Sequence, residues 1–183
     1  MNIQTSISNP IRFDVIEPAD WSGRLGLTIA PGKKGESMQS GYRHERDLSA
    51  DFAALKTAGV DLLVNLMELP EGLRYGMADY DAEAERLGLA VRRFPIVDVK
   101  VPSDIQAFSE LVSELHAELT SGKTVVVHCL GGKGRSGTLA ACLLIYGGMN
   151  AEDAITLTRR CRHEAIEAAQ PQFVRSFYNY LYR

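Results

Sequence analysis

The sequence predicts a single-domain α/β fold, a mostly parallel central sheet of about five strands with helices on both faces. Two observations carry this expectation. Short apolar runs of strand length, above all Val60–Met67 and Thr124–Val127, alternate with segments whose apolar residues recur at helical spacing. A glycine-rich loop then follows the strand Thr124–Val127, where sheets of this kind place their ligands.

Taken in order, residues 1–23 read as an irregular lead-in, polar and broken by Pro10 and Pro18, with a short strand expected at Ile11–Ile16. Residues 24–183 read as the main folded unit. Arg24–Ala30 is a compact apolar strand that stops at Pro31-Gly32. The polar stretch Lys33–Arg46 reads as a surface loop. Leu48, Phe52, Leu55 and Ala58 mark a helix that Gly59 ends. Val60–Met67 follows as a buried strand, Tyr80–Leu87 as a helix stopped by Gly88, and Leu89–Phe94 as a strand. Ser103 is placed to cap a longer helix with the stripe Ile105, Phe108, Leu111, Val112, Leu115 and Leu119. After strand Thr124–Val127 come helices at Ser136–Tyr146, Ala151–Arg162 and Gln170–Tyr182.

Composition narrows the function classes. With 45% hydrophobic and 23% charged residues this is ordinary globular composition, and a net charge of −3 offers no global attraction to nucleic acid or anionic lipid. No apolar run approaches membrane-span length, and the N-terminus has no signal-peptide pattern. Cys129, Cys142 and Cys161 are scattered, without disulfide or metal-ligand spacing. The expectation is a cytoplasmic protein in a reducing compartment, without membrane insertion, nucleic-acid partner, metal or other cofactor.

The chemistry is concentrated in Val127-His128-Cys129-Leu130-Gly131-Gly132-Lys133-Gly134-Arg135-Ser136-Gly137. A buried strand delivers a cysteine, and Gly131, Gly132 and Gly134 allow torsions that turn successive N–H groups inward as an anion nest. The helix that follows adds the positive end of its dipole. The planar fork of Arg135 suits two phosphate oxygens, and all these groups favour a thiolate nucleophile over a thiol. A buried structural cysteine or a nucleotide-binding loop fits less well, since Gly-Lys is followed here by Gly-Arg rather than by Ser or Thr.

His128-Cys129-x5-Arg135-Ser136 resembles the signature of the protein tyrosine and dual-specificity phosphatases. Leu27-Thr28-Ile29-Ala30-Pro31-Gly32-Lys33, Asp47-Leu48, Phe94-Pro95-Ile96-Val97-Asp98 and the Gly131–Arg135 core extend the likeness to the cyclin-dependent-kinase-associated phosphatase group. The resemblance implies a metal-independent phosphatase working through a phosphocysteine. Cys129 would be the nucleophile, with the phosphate held by Arg135 and by the loop residues Leu130, Gly131, Gly132, Lys133 and Gly134. It further implies a general acid on a loop ahead of the cysteine. Asp98 is favoured and Asp104 is the competitor, at a helix start where acidic residues interact with the dipole. Gln170 falls in register with a glutamine that positions the hydrolytic water, or is a surface residue. Ser136 would stabilise the departing thiolate, cap the helix, or do both, and His128 is supporting. Lys133 would suit a second substrate phosphate or simply face solvent. Cys142 and Cys161 read as core residues.

The substrate expected on this basis is a phosphorylated protein or peptide, with a phosphoinositide or a soluble inositol or sugar phosphate as the alternative. Lipid-directed members share Gly-Lys-Gly-Arg but carry a basic residue after the cysteine, where this chain has Leu130. A non-catalytic phosphate-binding module is disfavoured because cysteine, arginine and acid are all present. Phosphate hydrolysis is likewise preferred to sulfur transfer or arsenate reduction.

Overall fold

A computed structural model describes residues 2–37 and 41–183. The strands are β1 (Asn2–Gln4), β2 (Asp14–Val15), β3 (Arg24–Thr28), β4 (Lys34–Glu36), β5 (Tyr42–Glu45), β6 (Leu62–Asn65), β7 (Ala90–Arg93) and β8 (Thr124–His128). The helices are α1 (Leu48–Thr57), α2 (Leu69–Arg74), α3 (Tyr80–Leu87), α4 (Ile105–Thr120), α5 (Gly134–Tyr146), α6 (Ala151–Cys161) and α7 (Gln170–Leu181).

The main sheet has the order β2-β3-β8-β6-β7. Its β3, β8, β6 and β7 pairings are parallel, and β2 joins β3 antiparallel, so the sheet is mixed at one edge. Every residue of the central β8 is buried. Its period of two sorts side chains between two cores. Val125 and Val127 pack with Leu25, Leu27, Phe108, Leu139 and Phe177, under α4, α5, α6 and α7. Val126 packs with Phe52, Leu55, Leu63 and Tyr80, on the face covered by α1 and α3. Helix α5 is buried from Gly134 to Ile145, as befits a helix apolar all round.

Four local expectations change. Lys33–Arg46 is not simply a loop: β4 and β5 pair antiparallel, and β1 joins β5 in parallel to make a second sheet. Residues 38–40 of that stretch lie outside the described residues. Helix α4 is capped by Asp104 rather than Ser103, its Oδ1 accepting from the N–H groups of Gln106 (2.9 Å) and Ala107 (3.0 Å). Helix α5 begins at Gly134, so Arg135 lies within its first turn. Helix α2 was not anticipated, because none of its residues is buried and it has no apolar stripe to read. Among the described residues, no helix is long and apolar enough to cross a membrane.

Candidate active site

Strand β8 ends at the sheet's carboxyl edge and delivers Cys129, which is 3% exposed, into the loop that opens α5. The loop's backbone is polarised. Every carbonyl from Cys129 to Gly134 is held from outside. Cys129 O accepts from His128 Nδ1 (3.1 Å), and Leu130 O accepts from Ala30 N (3.2 Å) and Lys33 Nζ (3.3 Å). Gly131 O and Gly132 O accept from Arg162 Nη2 (2.9 Å) and Nε (3.1 Å). Lys133 O accepts from Gly137 N (2.9 Å) and Ile166 N (3.4 Å), and Gly134 O from Thr138 Oγ1 (2.9 Å). Among the described residues, no N–H from Gly131 to Ser136 donates to a protein acceptor. A run of free N–H groups with outward carbonyls is an anion nest.

Glycine is required at position 132, and at position 134 it spares two neighbouring side chains from shifting. Gly132 has φ +66°, and a Cβ there would lie 2.0 Å from Thr28 O. A Cβ on Gly134 would meet Glu167 Oε1 at 2.7 Å and the Gln170 amide at 3.1 Å.

Arg135 is 1% exposed and gripped by three partners. Its Nη1 and Nη2 each meet one oxygen of Glu71 at 2.7 Å, Nη1 also donates to Ile96 O (3.0 Å), and Nη2 lies 2.8 Å from Asp98 Oδ1. Burial works against its charge, but the Glu71 hydrogen bonds and the charges of Cys129, Glu71 and Asp98 raise its pKa above the ordinary guanidinium value. A guanidinium so buried would cost several kcal/mol if left without its carboxylate, about 3–5 kcal/mol for typical pairs. Glu71 was missed because it sits on the short α2, and only the fold brings it to Arg135. Two buried polar atoms of this corner, Arg135 Nε and Ser136 Oγ, have no hydrogen-bond partner among the described residues. With the free N–H groups they are donors left without a protein partner in the loop and helix turn that follow Cys129.

Asp98 lies on the loop after β7, its side chain half exposed. Its Oδ1 also accepts from Val99 N (3.0 Å), and Val99 sits at φ +62°, a conformation costly for a β-branched residue. Asp104, the competitor, has Oδ1 committed to the α4 cap. Gln170 is buried at the start of α7 rather than on the surface. Its Oε1 accepts from Glu167 N (2.8 Å), and its Nε2 donates to Lys100 O (3.2 Å), joining the Asp98 loop to the segment against Gly134.

Two lysines near the loop have different surroundings. Lys133 Nζ pairs with Glu164. The buried lysine of the loop's surroundings is Lys33, whose pKa is lowered to about 8 by burial, against the opposing charge of Cys129. It lies in the quoted Leu27–Lys33 stretch, but nothing in the sequence distinguished it from Lys34. Behind the cysteine, Cys129 O can only accept, so His128 Nδ1 carries the proton. His128 Nε2 then accepts from Tyr80 OH at 2.6 Å, and Arg93 lies 5.0 Å over the Tyr80 ring. Burial holds the His128 pKa down to about 3, so the ring stays neutral and its two nitrogens tie it to Cys129 O and Tyr80 OH.

His44 is also buried neutral, its pKa lowered to about 4 by burial and then by the charges of Lys33 and Arg46. Both histidines take up protons more readily in the unfolded chain, so stability is lost as pH falls below the unfolded value of about 6.5, each contributing about 1.4 kcal/mol per pH unit. The loss runs down to about pH 4 for His44 and about pH 3 for His128. Urea unfolding from pH 7 to 4 should show this decline, and His44→Phe should make it shallower. An unchanged slope in that variant would contradict neutral burial of His44.

The chain is similar to known proteins in sequence and in fold. The family model described as "Polymorphic toxin system, DSP-PTPase phosphatase" matches residues 38–149. Human cyclin-dependent kinase inhibitor 3 is 29% identical over 160 residues, covering 86% of this chain and 70% of that protein. The Arabidopsis thaliana phosphatidylinositol 3,4,5-trisphosphate 3-phosphatase and protein-tyrosine-phosphatase PTEN1 is 45% identical over 69 residues, covering 37% of this chain and 16% of that protein. The crystal structure of kinase associated phosphatase, with its catalytic cysteine replaced by serine, superposes with a TM-score of 0.85 at 27% identity. That likeness covers 95% of this chain and 97% of the other.

Proposed function

Since the chain belongs to the DSP-PTPase phosphatases of polymorphic toxin systems, we propose that it hydrolyses phosphotyrosine, and phosphoserine or phosphothreonine, in proteins through a phosphocysteine on Cys129. The observation that supports this reading is the polarised loop after Cys129, whose carbonyls are held while its N–H groups, Arg135 Nε and Ser136 Oγ have no protein partner among the described residues. Residues 24–183 are the catalytic unit in this reading and 1–23 its lead-in.

In the proposed first step the phosphate settles on the N–H groups from Leu130 to Arg135 and on Arg135, displacing Asp98 from Nη2. The Cys129 thiolate attacks phosphorus in line, the P–O bond to the leaving group breaks, and Asp98 delivers its proton to the departing oxygen. In the second step Asp98 takes a proton from a water positioned by Gln170. The new hydroxyl bonds phosphorus, the P–S bond breaks, and Ser136 Oγ hydrogen-bonds the returning thiolate. Donors fixed before substrate arrives stabilise the transition state without reorganising, which is why the held carbonyls matter. No cofactor takes part. A cytoplasmic location, where thiols stay reduced, suits the free Cys129, Cys142 and Cys161.

The test is kcat/KM, measured in chelator, for a phosphotyrosine peptide, a phosphothreonine peptide and a soluble inositol polyphosphate. Preference for the peptides is expected, because the residue after Cys129 is the apolar Leu130 rather than a base and Lys133 is paired with Glu164. Preference for the inositol phosphate would overturn the substrate class.

A further inference from the structure

Gly131 and Gly132 adjoin in the loop, and glycine resists a peptide flip less than any other residue. A flip would turn a carbonyl toward the anion. Among the described residues, the hydrogen bonds that oppose it come from one side chain just past the end of α6. Arg162 presents one edge of its guanidinium to both carbonyls, Nη2 to Gly131 O at 2.9 Å and Nε to Gly132 O at 3.1 Å, while Nη1 is backed by Asp14 Oδ2 at 2.6 Å. A planar fork can hold two neighbouring acceptors at fixed separation, which an ammonium cannot do. We infer that Arg162, backed by Asp14, is a positioning residue that keeps the Gly131 and Gly132 peptides turned with their N–H groups toward the bound phosphate.

The segment that follows Arg162 is built for the same purpose. Glu164, Ile166 and Ala168 have φ of +62°, +61° and +51°, and among the described residues the remaining non-glycine residue at positive φ is Val99, beside Asp98. Each such residue costs about 1–3 kcal/mol and persists only where its surroundings impose it. Here Arg159 imposes it, with Nε on Ala165 O (3.0 Å) and Nη2 on Ile166 O (2.8 Å). The strained segment in turn places Ile166 N on Lys133 O and the Glu167 and Gln170 side chains against Gly134. Arg159 therefore secures the brace and Arg162 secures the loop. Through Asp14 the brace reaches β2, so the lead-in takes part in forming the site.

This inference rests on the phosphatase reading above. Its test uses the full chain, with tungstate binding by calorimetry and kcat/KM on the phosphotyrosine peptide. Arg162→Ala should weaken tungstate about tenfold and lower kcat/KM about 100-fold, the scale of loss for a misplacement near 1 Å. Arg162→Lys should fail equally although it keeps the charge. Millimolar guanidinium ion should restore Arg162→Ala and leave Cys129→Ser inactive. Asp14→Asn, at a side chain 47% exposed, should show a smaller loss in the same two readouts. Unchanged tungstate affinity in Arg162→Ala, or wild-type rates in Arg162→Lys, would overturn the inference. Should Arg162→Ala not fold, unchanged affinity in Asp14→Asn does so. Wild-type turnover that vanishes in Cys129→Ser while the Arg162 variants stay normal removes the brace alone, and a wild type that neither turns over nor binds tungstate removes both.

Discussion

Cys129→Ser is expected to end turnover, a fall in kcat of about 10⁴-fold or more, equivalent to about 5.4 kcal/mol of barrier, while the protein stays folded and still binds tungstate. The exchange replaces sulfur by oxygen at a site 3% exposed, without altering the held carbonyls or the Glu71–Arg135 pair. The donors proposed to bind the anion are backbone N–H groups, Arg135 and Ser136, none of which changes. What is lost is the nucleophile, because a serine hydroxyl has no base beside it here: His128 Nδ1 is committed to Cys129 O and Nε2 to Tyr80 OH. Rapid-quench turnover in chelator, paired with calorimetric binding, separates the two effects. Turnover retained at wild-type rate would remove Cys129 as nucleophile, and loss of tungstate binding would mean that the thiolate, not the nest, organises the site.

Asp98→Asn should divide substrates by their leaving group. For an alkyl phosphate such as a phosphothreonine peptide, kcat should drop about 10²–10⁴-fold, the usual contribution of a positioned acid. For an aryl phosphate with a good leaving group the drop should be small, since that oxygen departs without a proton. The structure adds an effect on binding. Asp98 Oδ1 sits 2.8 Å from Arg135 Nη2, so the wild-type carboxylate competes with substrate for the guanidinium. Asparagine carries no charge, and KM should fall together with kcat, making the variant a trap for its substrate. Steady-state kinetics on both substrate types read out both effects. Equal losses on aryl and alkyl phosphates would move the acid elsewhere, and a raised KM would show that Asp98 aids binding rather than opposing it.

How much of this was legible in the sequence depended on the range over which each feature is decided. The β8-loop-α5 unit is local: a β-branched run, glycines, then an arginine opening an apolar helix, each with its own backbone preference. The strands β3, β6 and β7 and the long helices were legible for the same reason, since alternation and helical stripes are one-element patterns. Helix α2 has no buried face, so it left no stripe. The β4–β5 pair of the small sheet is polar and half exposed, and looked like a loop. Asp104 took the cap expected of Ser103 because its carboxylate reaches two helix N–H groups.

The sequence by itself determined that Cys129 ends a buried strand, that Arg135 follows across a glycine loop, and that helices cover both faces of a sheet. Those properties follow from local torsional freedom and from the spacing of apolar residues. Only the tertiary structure decided that Glu71 grips Arg135, that Lys133 is spent on Glu164, and that Lys33 and Arg162 hold the loop from outside. Charged side chains on a sequence carry no mark of their partners. A guanidinium finds its carboxylate or carbonyl only when the packing of α2, α5 and the segment after α6 brings residues distant in the chain within hydrogen-bond reach.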